Sequence, residues 1–190
     1  MARLLVLDNY DSFTYNLVHL LRELDCSELD VIRNDRIDLS AVAAYDRIVL
    51  SPGPGIPSEA GIMPALVKEY AASKAILGVC LGHQCIAEVF GCSLSNMENV
   101  IHGKAVLNKV VDRDEALFKG LPKSFMVGRY HSWLVESCNF SDDLVVTAVD
   151  QQGDIMALRH RAFNVRGLQF HPESVLTEYG AEMLSNWLKS

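Results

Sequence analysis

No stretch of this chain comes near the roughly 18 apolar residues in a row that a membrane-spanning helix requires. The first apolar run, residues 4–7, is stopped by Asp8 and is too short for a secretory signal. There is no run of lysine and arginine, and the net charge is −7. Both features argue against nucleic acid as a partner. Cys-x-x-Cys pairs are missing too. The five cysteines, Cys26, Cys80, Cys85, Cys92 and Cys138, are odd in number and irregularly spaced. That pattern suits a reducing cytoplasm rather than a disulfide framework. Cys80, His83, Cys85 and His102 cluster in sequence, but residues 80 and 85 fall on either side of a turn-to-helix junction and diverge, so no metal site is expected. Internal repeats, low-complexity segments and linkers are also lacking. With 190 residues, 49% apolar and 22% charged, the chain is expected to form one domain over residues 1–190 with a substantial core.

What is present is an alternation of strands and helices. Residues 4–7 are a continuous apolar run, suited to a strand buried on both faces. A polar loop at 8–12 follows, then Phe13, Leu17, Leu20, Leu21 and Leu24 at helical spacing. Strands are expected at 29–33, 47–50 and 75–79, with a short helix at 39–44 and a longer one at 61–72. Such alternation implies right-handed βαβ units and a mostly parallel sheet. After about residue 93 the character changes: strand-like stretches at 104–111, 125–130, 144–149, 155–160 and 163–170 predict added antiparallel strands, with a hairpin near Gln151-Gln152-Gly153-Asp154. An amphipathic helix over 177–188 ends the chain.

Ligands of open α/β sheets gather at the carboxyl ends of the strands, and three loops of unusual composition fall there: 8–12, 51–57 and 80–84. In the last, an apolar run breaks into Gly78-Val79-Cys80-Leu81-Gly82 and a helical pattern follows, the layout of a nucleophile elbow. Cys80 would sit at a helix N-terminus, where N–H groups and the helix dipole favour a thiolate; a buried structural cysteine is the alternative. Farther on, Pro172 forces His171 toward extended angles. His171 and Glu173 then project from one face, so the carboxylate can accept the imidazole Nδ1–H and leave Nε2 to take a thiol proton; a strand-end histidine beside a solvated glutamate is the alternative. Cysteine, histidine and carboxylate suit acyl transfer through a thioester. The oxyanion of such a reaction needs donors: the Leu81 N–H and the stiff Ser51-Pro52-Gly53-Pro54-Gly55 loop are the choices. The loop lacks Walker spacing and is not a phosphate cradle; it also reads as a plain Pro/Gly turn.

Gly78-Val-Cys-Leu-Gly-His-Gln84 together with Phe170-His-Pro-Glu173 resembles the class I, triad-type glutamine amidotransferases. The resemblance covers essentially the whole chain. Asp8-Asn-Tyr-Asp-Ser-Phe-Thr-Tyr-Asn-Leu17, residues 51–61, His102-Gly-Lys104 and Arg129-Tyr-His-Ser132 narrow it to the branch holding the glutaminase subunits of anthranilate synthase and aminodeoxychorismate synthase. The resemblance implies a flavodoxin-like α/β fold, with helices on both faces of a mostly parallel sheet, and hydrolysis of L-glutamine to glutamate and ammonia. The ammonia would pass to a chorismate-using synthase subunit in a hetero-oligomer. No cofactor is implied here, whereas the partner synthase is expected to use Mg2+.

Residue by residue, it implies Cys80 as nucleophile, His171 as base and later acid, and Glu173 as its orienter. Gly53, Pro54 and Gly55 would lie along the glutamine and its oxyanion, with the Leu81 amide as second donor. Gln84, Ser132 and Trp133 would hold the amino-acid end. The family usually has leucine where Trp133 stands and alanine where Cys85 stands; Cys85 reads as a small residue packed behind the elbow. His83 and His102 read as structural or partner-facing. Residues 54–61 look closer to anthranilate synthase subunits, since aminodeoxychorismate subunits often carry cysteine where Gly55 stands. Two rival readings are a catalytically silent binding module and a cysteine peptidase or thiol chaperone on a related fold. The first is disfavoured by the complete Cys80, His171 and Glu173 set, the second by the 82–84 and 52–55 stretches, which would have no role in it.

Overall fold

The computed structural model describes residues 2–24, 26, 28–97 and 103–190, so His102 lies outside the described residues. Its centre is a nine-stranded sheet. Five strands run parallel: β1 (Leu4–Asp8), β2 (Leu29–Arg33), β3 (Arg47–Leu50), β4 (Ala75–Val79) and β11 (Val165–Leu168), in the spatial order β2-β1-β3-β4-β11. Four antiparallel strands extend it beyond β11. These are β10 (Ile155–His160), β9 (Leu144–Asp150), β6 (Lys104–Val110) and β7 (Ser124–Arg129). The expected α/β architecture with an antiparallel extension is therefore observed. A two-stranded sheet of β5 (Leu94–Asn96) and β8 (Trp133–Val135) was not anticipated; three-residue strands leave too little alternation to read.

Side chains alternate across the sheet as the period-2 geometry of strands requires. Leu5, Leu7, Ile48, Leu50 and Ile76 pack with α2 (Met63–Tyr70) and α3 (Leu81–Val89) on one face. Leu4, Val6, Val49, Leu77 and Val79 pack with α1 (Thr14–Glu23) and α4 (Gly180–Leu188) on the other. The near-continuous apolar runs of β1, β3 and β4 follow from burial on both faces. No helix among the described residues is long and apolar enough to cross a membrane.

Two helices differ from expectation. The 39–44 segment is a 3-10 helix, Leu39–Ala44. The last helix begins at Gly180 rather than 177. Thr177 spends its hydroxyl on His171 O (2.6 Å) and accepts from Gly128 N (3.0 Å), and Tyr179 takes a left-handed φ of 61° just before the helix. Any Cβ on Gly180 would sit 1.9 Å from Pro172 O, so the helix start is pressed against the His171-Pro172 turn. The end of the chain thus backs up the loop that carries His171 and Glu173.

Candidate active site

The sharp bend after β4 is built from close backbone approach. Cys80 adopts φ 51°, ψ −99°, a positive φ that few residues other than glycine tolerate. Its N–H donates to Leu168 O (2.8 Å), tying the elbow to β11. A Cβ on Gly78 would lie 2.4 Å from the backbone of Gly82, and one on Gly82 would lie 2.5 Å from Leu50 O. Both glycines are therefore required by packing: the first turn of α3 lies against β4 and β3 with no room for a methyl group. Cys80 itself is 6% exposed, at the helix N-terminus.

His171 follows the end of β11, the parallel neighbour of β4, which brings its loop to the same sheet edge as the elbow. Its Nδ1 and Glu173 Oε1 are 2.7 Å apart. Phe13 and Tyr130 close over the imidazole with ring centroids at 5.6 and 5.0 Å. Nε2 is sealed from solvent without a well-formed hydrogen bond, and the Cys80 sulfur is the group that faces it. Burial works against a charge on this ring, but the Cys80 sulfur and the Glu173 carboxylate outweigh it and hold the pKa up to about 10.

In front of Cys80 lies a cavity of about 190 Å³ lined by Gly53, Pro54, Gly55, Cys80, Gln84, Tyr130, His131, Ser132 and Trp133. Seven residues picked from sequence, the cysteine among them, thus share one pocket, while His171 and Glu173 stand behind it. Leu81 is not in the lining but is in contact: a Cβ on Gly53 would come within 2.8 Å of its side chain, so the two suggested oxyanion elements are adjacent. As the first residue of α3, Leu81 has an N–H with no carbonyl to bond within its helix. Larger depressions exist, such as one of about 410 Å³ between β6, β7 and the 150–152 turn, but neither Cys80 nor His171 lines them.

Sequence reasoning missed several supports. Asn9, 2% exposed, clamps the 51–55 loop: its N–H donates to Ser51 Oγ (2.9 Å) and its Nδ2 to Ser51 O (2.8 Å). A Cβ on Gly53 would strike Asn9 at 2.7 Å, so this glycine is needed for the clamp as well as for any ligand. Gln169 joins Gln84 to Cys80, with Gln84 Nε2 3.2 Å from its Oε1 and its Nε2 3.8 Å from Cys80 Sγ. Tyr130 and His131 line the cavity, and the motif 129–132 was the available signal for them. Arg129, wholly buried, pairs with Asp150 and Asp154 (3.1 Å to the latter). Burial, then the Arg129 cation, pushes the His131 pKa down to about 3.

Three other expectations can be placed. His83 is completely buried against Gly167, whose missing Cβ would lie 2.7 Å from Nδ1, and burial lowers its pKa to about 4. It is a packed neutral ring. Cys85 is fully buried in the core and burial pushes its thiol up, beyond nucleophilic use at neutral pH. Trp133 meets Gln84 through its backbone carbonyl, 3.0 Å from Nε2, so that contact does not depend on the indole. Among the described residues, no three histidine, cysteine or acidic side chains are grouped as a metal would require.

Comparison with known proteins agrees in kind. Residues 5–190 match the family described as glutamine amidotransferase class-I. The chain is 45% identical to anthranilate synthase component 2 of Pseudomonas aeruginosa, over 98% of this chain and 94% of that one. It is 43% identical to aminodeoxychorismate synthase component 2 of Klebsiella aerogenes, over 97% and 98%. The fold superposes on a candidate GMP synthase protein of Thermoplasma acidophilum with a TM-score of 0.87 at 29% identity, covering 100% of this chain and 93% of that chain. An elbow cysteine, a buried His–Glu pair at the same sheet edge and this match over nearly the full length lead to one conclusion: the chain belongs to the class I glutamine amidotransferase family.

Proposed function

We propose that this chain is a glutaminase subunit that hydrolyses L-glutamine through a thioester on Cys80 and hands the ammonia to a chorismate-using synthase subunit. The observation that carries the reading is the Cys80 elbow, with His171–Glu173 behind it and the small pocket in front. The Cys80 thiolate attacks the side-chain amide carbon, and the oxyanion formed is met by the Leu81 N–H and the 53–55 backbone. His171, held by Glu173, gives its proton to the departing nitrogen, and ammonia leaves behind a γ-glutamyl thioester. A water then gives a proton to His171 and attacks the thioester carbon, releasing glutamate and restoring the thiolate–imidazolium pair.

The receiving synthase is proposed to be anthranilate synthase. Gly55 has φ +75°, and a Cβ there would meet Glu59 Oε2 at 2.3 Å, so the loop is shaped for glycine where aminodeoxychorismate subunits often carry cysteine. The same chemistry serving aminodeoxychorismate synthase, or both complexes, is the second reading, and relatives of both names match over nearly full length. The chain is proposed to work in the cytoplasm without a cofactor of its own, any Mg2+ belonging to the partner. The test is glutamate release from glutamine with each purified synthase subunit in turn. Stimulation by an anthranilate synthase subunit and loss of release in Cys80→Ser are expected. Release that persists in Cys80→Ser contradicts the mechanism; stimulation only by an aminodeoxychorismate partner reassigns the ammonia.

A further inference from the structure

The wall of the pocket opposite the elbow is held by a chain of hydrogen bonds whose directions can be worked out from donor chemistry alone. Arg129 Nε is 3.1 Å from His131 Nε2. An arginine nitrogen only donates, so His131 Nε2 carries no proton and the ring proton is on Nδ1. Nδ1 is 2.9 Å from Trp133 O, which only accepts. Both sides therefore require the same neutral tautomer. Arg129 cannot turn away, because its guanidinium is fully buried and Asp150 and Asp154 hold its other nitrogens.

The consequence passes to the pocket. Trp133 O also faces Gln84 at 3.0 Å, and since a carbonyl can only accept, the Gln84 atom there is Nε2. Nε2 reaches Gln169 Oε1 as well (3.2 Å), which turns Gln169 Nε2 toward the Cys80 sulfur. Gln84 lines the cavity, and with its Nε2 engaged in both bonds, its Oε1 is the atom left to accept from a ligand. An acceptor there suits the ammonium of an α-amino acid, and a donor would repel it.

We propose that His131, fixed by Arg129, is a positioning residue for substrate: by occupying the Trp133 carbonyl from one side it holds the loop so that Gln84 presents an oxygen to the amino end of the bound amino acid. The inference rests on the glutamine reading above; its main effect is on amino-acid recognition, and the iodoacetamide rate separates this from any change relayed through Gln169 to Cys80.

The test compares two alkylating reagents on the full-length chain. One is iodoacetamide, which needs only the thiolate. The other is a diazoketone analogue of glutamine, which must dock its amino-acid end. The readout is the ratio of the glutamine-analogue rate to the iodoacetamide rate in wild type, His131→Phe and His131→Asn. Phenylalanine removes the N–H to Trp133, whereas the asparagine amide can replace the Nδ1 donor. The expected result is a ratio about tenfold lower in His131→Phe, the size of one good hydrogen bond, with most of the loss recovered in His131→Asn. An unchanged ratio in His131→Phe overturns the proposal. So does an equal fall in both rates, which would make His131 a scaffold for the elbow, and so does His131→Asn being as impaired as His131→Phe. Failure of the underlying reading looks different: wild type itself would then show no saturable inactivation by the glutamine analogue.

Discussion

Two buried histidines flank the pocket and have been driven in opposite directions. His171 faces the Cys80 sulfur and Glu173, and those groups raise its pKa to about 10 in spite of burial. His131 faces the Arg129 cation, which adds to burial and lowers its pKa to about 3. One ring is kept able to hold a proton beside the Cys80 sulfur, and the other is kept neutral in one tautomer. In the proposed account the same side chain would do acid–base work in the first setting and geometric work in the second, and the neighbouring charge decides which.

The largest effect should come from breaking the neutral site at its anchor. Asp150→Asn removes the carboxylate, 5% exposed, that compensates a fully buried guanidinium. Its unfolding free energy in denaturant titration is expected to fall by about 3 kcal/mol, the low end of the cost of breaking a buried pair, since Asp154 still faces the guanidinium. On the charged side, Glu173→Gln keeps the shape of the His171 partner but removes its charge. Steady-state assays should show kcat for glutamine down by about a hundredfold, a typical loss for a mis-set general base, with a smaller change in KM.

A pH series separates the two rings by sign. His171 has a folded pKa above the ordinary value near 6.5, so its contribution to stability is full below about pH 6.5 and fades as pH rises toward 10. His131 has a folded pKa below that value. The unfolded chain therefore binds more protons there, and stability is lost as pH falls from about 6.5 toward 3. Melting temperatures are thus expected to converge between wild type and His171→Gln on the alkaline side. On the acid side, His131→Asn should lose less stability than wild type, although His83, also held neutral with a pKa of about 4, leaves part of the acid loss in place. The smallest effect is reserved for Asp154→Asn. This second partner of Arg129 is 23% exposed, and its loss should cost less than about 1 kcal/mol. Equal losses for Asp150→Asn and Asp154→Asn would show that burial does not distinguish the two carboxylates.

The contrast also marks what a sequence shows and what it hides. The His171–Glu173 pairing was legible from their spacing around Pro172, but its geometry was not: instead of the expected extended segment, Pro172 and Glu173 lie in a turn closed by Ser174 N–H to His171 O (3.2 Å). The elbow was legible because Gly78 and Gly82 are read directly against a strand-to-helix change of period. The parallel strands β1, β3 and β4 announced themselves as short apolar runs. The restraint on His131 was not legible, because it reaches through Arg129 to Asp150 and Asp154, which belong to a hairpin remote in sequence and brought near only by pairing of β6, β7 and β9. Asn9 was hidden for the same reason: its partner Ser51 lies one strand over. The start of α4 was misread because its limit is a contact with Pro172, which no helical periodicity records.

The most direct test of the thioester mechanism is mass analysis of the chain quenched in acid during turnover of glutamine. A γ-glutamyl adduct on the Cys80 peptide is expected in wild type, absent from Cys80→Ser and lost on brief treatment with hydroxylamine. Continued glutamate release with no adduct on that peptide, in wild type and Cys80→Ser alike, would contradict it.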